Sequence, residues 1–268
     1  MKKVAFQGER GAYSEIAARR FFGDAIEPIP YRTFDEIFVG VERKRVDCGI
    51  VPLENSLAGS ILQNYDLLLR HRLSIVGEIS QRIMHNLIVH PGTPASAIRR
   101  VYSHPQALMQ CEKFLGHLKK AEKIPAYDTA GAVKLIKEQG QRDAAAIASQ
   151  LAAELYGMQV LQEGIENDPE NYTRFVILSK EARVSPNAKR TSIVFSLRNV
   201  PGALFKSLSV FALRDIDLLK IESRPLHGKP WEYFFYVDFA GTMRSKNCQN
   251  AVKHLGEIST FLKILGSY

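Results

Sequence analysis

The apolar residues of this chain follow two rhythms in turn. Short apolar runs at 3–7, 48–53, 101–103, 144–147 and 173–178 read as strands, that at 48–53 as a buried one, and 26–31, broken by prolines, can be another. Between them, apolar positions at helical spacing predict helices over 14–22, 105–115, 129–137 and 149–155. Thr33-Phe34-Asp35-Glu36 supplies a capping box ahead of the helix that carries Ile37, Phe38 and Val41. A helix through Leu69, extended runs at 74–78 and 86–90, a helix after Pro94 and strands near Ile124 and at 158–161 complete this part. Strands alternating with helices predict parallel α/β sheets, and the run at 74–78, near the middle, reads as a crossover between two lobes flanking a cleft.

A polar linker at 180–189, with Ser185-Pro186-Asn187, closes that pattern. Beyond it come a strand (191–197), a helix (203–213), strands (217–223 and 232–239), a helix (247–255) and a strand (260–264), the ferredoxin-like order βαββαβ. The run Tyr233-Phe234-Phe235-Tyr236-Val237 is apolar on both sides, so alternation leaves its buried face open.

Composition narrows the class. At 268 residues, 46% hydrophobic and 24% charged, the chain reads as globular and as two domains. The net charge of +8 is spread along the chain and accompanies no aromatic-basic motif, so it reads as solvated helix faces, compatible with an anionic small molecule; no nucleic-acid partner is expected. Cys48, Cys111 and Cys248 are too few and too scattered for a disulfide framework or a thiolate zinc site, which fits a reducing compartment. The first apolar run stops at Gln7-Gly8, short of a signal core, and no stretch has membrane-spanning length. The expectation is a cytoplasmic protein with no membrane partner.

The seven histidines show no metal spacing, no glycine-rich phosphate loop follows the first strand, and no nucleophile elbow occurs, so neither metal nor cofactor is expected. What stands out is polar residues at strand-to-helix turns: Tyr13-Ser14, Glu54-Asn55-Ser56, Ser103-His104-Pro105-Gln106 and Asp128-Thr129-Ala130-Gly131. Such turns lie at the carboxyl ends of strands, where helix starts offer unpaired N–H groups to carboxylates. Taken singly, each is an ordinary N-cap or loop residue. In Thr173-Arg174-Phe175, strand alternation sends Thr173 and Phe175 to one face and Arg174 to the other.

Gly11-Ala12-Tyr13-Ser14-Glu15, Pro52-Leu53-Glu54-Asn55-Ser56, Asn64-Tyr65-Asp66-Leu67-Leu68-Leu69, Ser103-His104-Pro105-Gln106-Ala107-Leu108 and Asn171-Tyr172-Thr173-Arg174-Phe175 form an ordered set over almost the whole chain. That set resembles the motifs of prephenate and arogenate dehydratases. Pro201-Gly202-Ala203-Leu204-Phe205 and Glu222-Ser223-Arg224-Pro225 resemble the Gly-Ala-Leu-Val and Glu-Ser-Arg-Pro motifs of an ACT regulatory domain, with Phe205 in place of the usual valine. The departure bears on how tightly an effector binds.

The resemblance implies an α/β catalytic domain at 1–180, two-lobed like a periplasmic binding protein, with lobes at about 1–78 plus 165–180 and at 79–164, then an ACT domain at 189–268. It implies decarboxylating dehydration of prephenate to phenylpyruvate, inhibited by phenylalanine, in a homodimer or homotetramer. Thr173 would donate to the departing hydroxyl, with Glu54 or His104 as partners, and Phe175 would wall the ring. Tyr13, Ser14, Asn55, Ser56, Ser103 and Thr129 would hold the carboxylates; Arg174 is either a substrate contact or a structural residue. Gly202, Ala203, Leu204, Glu222, Ser223, Arg224 and Pro225 would bind the effector. The alternatives are an arogenate dehydratase and a non-enzymatic, amino-acid-responsive binding protein.

Overall fold

The computed structural model describes residues 1–182, 184–226 and 228–268; Arg183, inside the expected linker, and His227 lie outside the described residues. In chain order the elements are β1 (Lys2–Gln7), α1 (Tyr13–Phe22), β2 (Ile26–Tyr31), α2 (Phe34–Glu42), β3 (Cys48–Asn55), β4 (Gly59–Ser60), α3 (Leu62–Arg70), β5 (Ser74–Arg82) and β6 (Asn86–Val89). Then come β7 (Arg100–Ser103), α4 (Pro105–Gln110), α5 (Glu112–Leu115), β8 (Glu122–Pro125), α6 (Thr129–Glu138), β9 (Ala144–Ala148), α7 (Gln150–Tyr156), β10 (Gln159–Gln162) and β11 (Tyr172–Ser179). The last six are β12 (Arg190–Ser196), α8 (Ala203–Ala212), β13 (Leu218–Pro225), β14 (Tyr233–Ala240), α9 (Lys246–Ile258) and β15 (Phe261–Ser267).

The chain forms two compact units, Met1–Leu62 with Ile79–Phe175, and Gln63–Glu78 with Val176–Tyr268. One sheet of α/β type has the order β2-β1-β3-β11-β5 with β4 on β3; another has the order β10-β6-β9-β7-β8. β1 runs parallel to β2 and β3, and β7 parallel to β8 and β9, as the strand-helix alternation predicts. The expected parallel pairing does not extend to β6, which is antiparallel to both β9 and β10. β6 follows β5 after only Ile83-Met84-His85, with no helix between them to return the chain in the same direction.

Two local departures from the sequence pattern matter for the site. The helix after Pro94 is a single 3-10 turn, Ala95–Ala97. The helix expected over 105–115 is broken at Cys111 because Asn167 inserts into its ladder. The Asn167 N–H donates to Gln110 O at 2.6 Å, its Oδ1 accepts the Lys113 N–H at 3.0 Å, and its Nδ2 donates to Met109 O at 3.3 Å. A side chain that takes over helix hydrogen bonds bends the helix there, and the bend leaves Gln110 at the end of α4.

In the second unit the antiparallel sheet has the order β13-β14-β12-β15, the ferredoxin-like arrangement expected from βαββαβ. Ile193, Phe195, Phe211, Val237 and Phe239 form its core under α8 and α9, each worth about 1.5–3 kcal/mol of burial. The open question of β14 is resolved here: its second face is covered by α3. Tyr236 packs edge-on to Tyr65 at 4.9 Å and donates to Tyr65 O at 3.0 Å. Arg224 pairs with Asp66 at 2.6 Å, and Lys263 Nζ caps the end of α3 through Leu68 O and His71 O, each at 2.7 Å. Residues 63–78 therefore group with the second unit, whereas the sequence assigns them to the first lobe.

Candidate active site

The β1–α1 loop is held by one carboxylate. Glu15 is fully buried; its Oε2 accepts the Gly11 N–H at 2.8 Å, and Arg10 and Arg19 donate to it at 3.0 and 2.8 Å. Burial alone pushes this carboxyl up, but the bonds from Arg10, Gly11 and Arg19 together hold it below its ordinary value. Gly11 has φ +89°, and a Cβ there would stand 2.6 Å from Ala152 Cα, so the position requires glycine twice over. The loop delivers Tyr13 and Ser14 to a cavity of about 430 Å³.

Around that cavity stand Asn55 from β3, His85 between β5 and β6, His104, Gln106 and Gln110 around α4, Asp128 and Thr129 at the start of α6, and Thr173 and Phe175 from β11, with Phe34, Pro52, Ile61 and Ile83 as apolar wall. Among the described residues no Lys or Arg lines it, and Asp128 is its single carboxylate.

The polarity of the buried groups follows from the backbone. Asn55 Oδ1 accepts the N–H groups of Leu57 and Ala58 at 3.1 and 2.9 Å. Its Nδ2 therefore donates, reaching Asn171 Oδ1 at 2.7 Å, Thr173 Oγ1 at 2.9 Å and Tyr172 O at 3.1 Å. Thr173 Oγ1 is thus an acceptor from Asn55, and its own proton is left to donate into the cavity. Asn171 Nδ2 in turn donates to Gln110 Oε1 at 3.1 Å, which leaves the Gln110 amide hydrogens to the cavity as well.

His104 caps α4, its Nδ1 accepting the Gln106 N–H at 3.2 Å, so the neutral ring carries its proton on Nε2. Lost solvation lowers its pKa, against the pull of Asp128. Asp128 caps α6 through the Gly131 N–H and accepts the Glu9 N–H at 2.6 Å. Burial raises its carboxyl in spite of those two bonds.

A profile of the prephenate dehydratase family matches residues 4–183. The chain belongs to the prephenate dehydratase family. "Arogenate dehydratase/prephenate dehydratase 2, chloroplastic" of Arabidopsis thaliana is 49% identical over 278 residues, covering 99% of this chain and 72% of the relative. The prephenate dehydratase of Arthrobacter aurescens, solved in complex with L-Phe, superposes with a TM-score of 0.90 at 32% identity, over 99% of this chain and 89% of that one. A protein described as a novel type of quorum quenching acylase, GqqA, superposes with a TM-score of 0.91 at 33% identity, over 100% and 97% of the two chains.

Of the residues that the prephenate dehydratase motifs pointed to, Tyr13, Ser14, Asn55, His104, Thr129, Thr173 and Phe175 meet at the cavity. Four do not. Arg174, between Thr173 and Phe175 on β11, falls on the other side of the alternation, and Glu54 at the end of β3 does not line the cavity. Ser56 clamps two strand ends, donating to Glu170 O at 2.8 Å and accepting the Tyr172 N–H at 2.9 Å. Ser103 is fully buried and donates to Ile147 O at 2.7 Å, tying β7 to β9.

The sequence missed His85, Gln110, Asn171 and Asp128. Gln110 stands one helical turn after Gln106, a spacing that puts both on one face; Asp128 opens the polar turn Asp128–Gly131, and Asn171 opens the Asn-Tyr-Thr-Arg-Phe motif. Nothing in the sequence marked His85.

The effector residues of the second unit divide. Gly202, with φ +78° at the N-cap of α8, borders a cavity of about 210 Å³ with Ala203, Leu204, Phe205, Trp231 and Tyr233. Arg224 and Pro225 border a separate cavity of about 620 Å³ with Asp66, Arg70 and Lys229; Trp231 lines both. Glu222, which lies 3.7 Å from Lys220, and Ser223 line neither.

Proposed function

We infer that this cavity carries out the family's reaction, the decarboxylating dehydration of prephenate to phenylpyruvate, with Thr173 as the donor to the departing hydroxyl. One observation carries the assignment: Asn55, locked by the backbone, donates to Thr173 and so directs the threonine proton into the cavity. As the carbon–oxygen bond lengthens, negative charge grows on the leaving oxygen, and a fixed donor is worth most at that point. The ring carboxylate leaves as carbon dioxide, the ring becomes aromatic against Phe175, and the hydroxyl with one added proton leaves as water. Phe34, Ile61 and Ile83 complete an apolar surround for the forming ring. With no Lys or Arg among the described residues at the wall, the carboxylates are met by the N–H groups at Tyr13-Ser14 and Thr129, by Gln110 and by the histidines.

Asp128 supports a second reading. Arogenate carries an ammonium where prephenate carries a keto group, and Asp128, the carboxylate at the wall among the described residues, could answer it. Acyl transfer is not supported: the partner of Thr173 is the amide of Asn55, which is no base.

The second unit is read as an ACT domain in a homodimer or homotetramer, with phenylalanine as effector; the L-Phe complex of the Arthrobacter aurescens relative supports this. Gly202 allows backbone to approach an amino acid's carboxylate at the start of α8. A cytoplasmic, reducing compartment agrees with three free buried cysteines, although the Arabidopsis thaliana relative is named chloroplastic. No helix of the described residues is long and apolar enough to cross a membrane.

Incubating the protein with prephenate and no added cofactor, then reading phenylpyruvate absorbance in alkali, tests the reaction. Full activity in a folded Thr173→Ala variant removes Thr173 from its role.

A further inference from the structure

The polar chain behind Thr173 ends at His85, a residue 2% exposed that borders the cavity. Its protonation can be counted from the fixed end. Because Asn55 is oriented by backbone N–H groups, Asn171 presents Oδ1 to it and Nδ2 to Gln110, and Gln110 Oε1 is an acceptor. A flipped Gln110 would set two donors against each other. His85 Nε2 lies 3.0 Å from that same Oε1, so Nε2 carries a hydrogen.

A neutral His85 then has a bare Nδ1, 2.8 Å from the hydroxyl oxygen of Tyr13, which lies 2.7 Å from Met84 O. Two acceptors compete for one phenolic proton. A second proton on His85 removes the conflict: Nδ1–H donates to Tyr13, and Tyr13 donates to Met84 O. The network is complete only as an imidazolium.

We propose that His85 takes up a proton from solvent when a dicarboxylate enters the cavity, and that the resulting imidazolium orients Tyr13 and supplies the positive charge that the cavity wall otherwise lacks. The proposal rests on the prephenate reading of this same cavity. Without ligand, burial holds the ring below its ordinary pKa, against the pull of the Gln110 bond and of Glu166.

The groups that face this pair are few. Glu166 accepts the His85 backbone N–H at 2.9 Å and lies 3.6 Å from Arg82. Cys111 stands near Tyr13 with its thiol pushed up to about 12, hence neutral. Tyr13 is itself held well above its ordinary value by burial. A bound dianion is therefore the largest new charge the ring meets. His104 is a poor substitute, since a second proton on its Nδ1 would break the cap to Gln106. The same event adds a bond at His85 and costs one at His104.

The test uses Thr173→Ala protein, in which loss of the donor should stop turnover while binding of prephenate is retained. Calorimetric titration with prephenate in two buffers of different ionisation enthalpy at about pH 7.5 should give uptake of about one proton per ligand. Adding His104→Gln should leave the uptake in place, and adding His85→Gln should abolish it. Nitrogen NMR of the unsubstituted, ligand-free protein should find neutral His85 with its proton on Nε2, a readout independent of whether the His85 variant folds. Uptake that survives in the His85 variant, no uptake in the parent, or an Nδ1–H tautomer overturns the proposal. The prephenate reading fails separately, by absence of phenylpyruvate formation in the unsubstituted protein; absence of prephenate binding removes both.

Discussion

Asn55 Nδ2 stands 2.9 Å from Thr173 Oγ1, and the amide can only be the donor. The Leu57 and Ala58 N–H groups occupy its oxygen, so the threonine hydroxyl has one direction left in which to give its proton. Asn55→Asp keeps the size and reverses the sign of the contact. The carboxylate would capture the Thr173 proton, and kcat for prephenate should fall by about 10²–10³-fold, the range for losing one aimed donor, with a much smaller change in KM. Steady-state kinetics checks this; a loss confined to KM would make Asn55 a binding residue only.

Glu15 links the site loop to acid stability. Its carboxyl is held below the ordinary value, so the charged form is favoured by folding. Its contribution is present above the unfolded value near 4.5 and is lost as pH falls through the lower folded value. Glu15→Gln should destabilise the protein by about 1–3 kcal/mol at neutral pH. It should also flatten the acid limb of a urea-unfolding series, where equal slopes for the two proteins would contradict the assignment.

Asp128 is placed to set substrate choice. In Asp128→Asn protein, kcat/KM for arogenate relative to prephenate should fall by about 10-fold or more, as when a buried charge loses its partner. An unchanged ratio would leave Asp128 as the cap of α6 alone.

Asp66 joins α3 to the arginine of the Glu-Ser-Arg-Pro motif at 2.6 Å. Asp66→Asn should shift the phenylalanine concentration for half-inhibition by about 5-fold or more, while turnover without phenylalanine stays within a factor of about two. A dose-response series gives the answer, and superimposable curves would show that the pair is structural only.

Much of this was legible in the chain, and for local reasons. β2 runs over Ile26–Tyr31, the bounds expected in spite of Pro28 and Pro30, and the Thr33–Glu36 capping box forms because both partners lie within one turn. Thr173 and Phe175 share a wall because alternation is a property of the strand itself. What local pattern could not reach were the long-range partners. Asn167 breaks a helix more than fifty residues before it, and Ser103 turns from a ligand candidate into a sheet clamp through Ile147. His85, a lone histidine between strands, gains its meaning only from Gln110 and Tyr13.

The grouping of Gln63–Glu78 with the residues after Phe175 bears on how the protein is made. Tyr65, Leu68 and Ile75 are buried at 3% or less, and helix α3 is capped by Lys263 of β15. During synthesis α3 leaves the ribosome early, but its covering sheet is complete only when the last strand has emerged. Such distant pairings delay folding and leave apolar surface waiting. A gene shortened at residue 180 makes that wait permanent, so the shortened product should bind a hydrophobic dye and draw chaperones rather than behave as an enzyme freed from control.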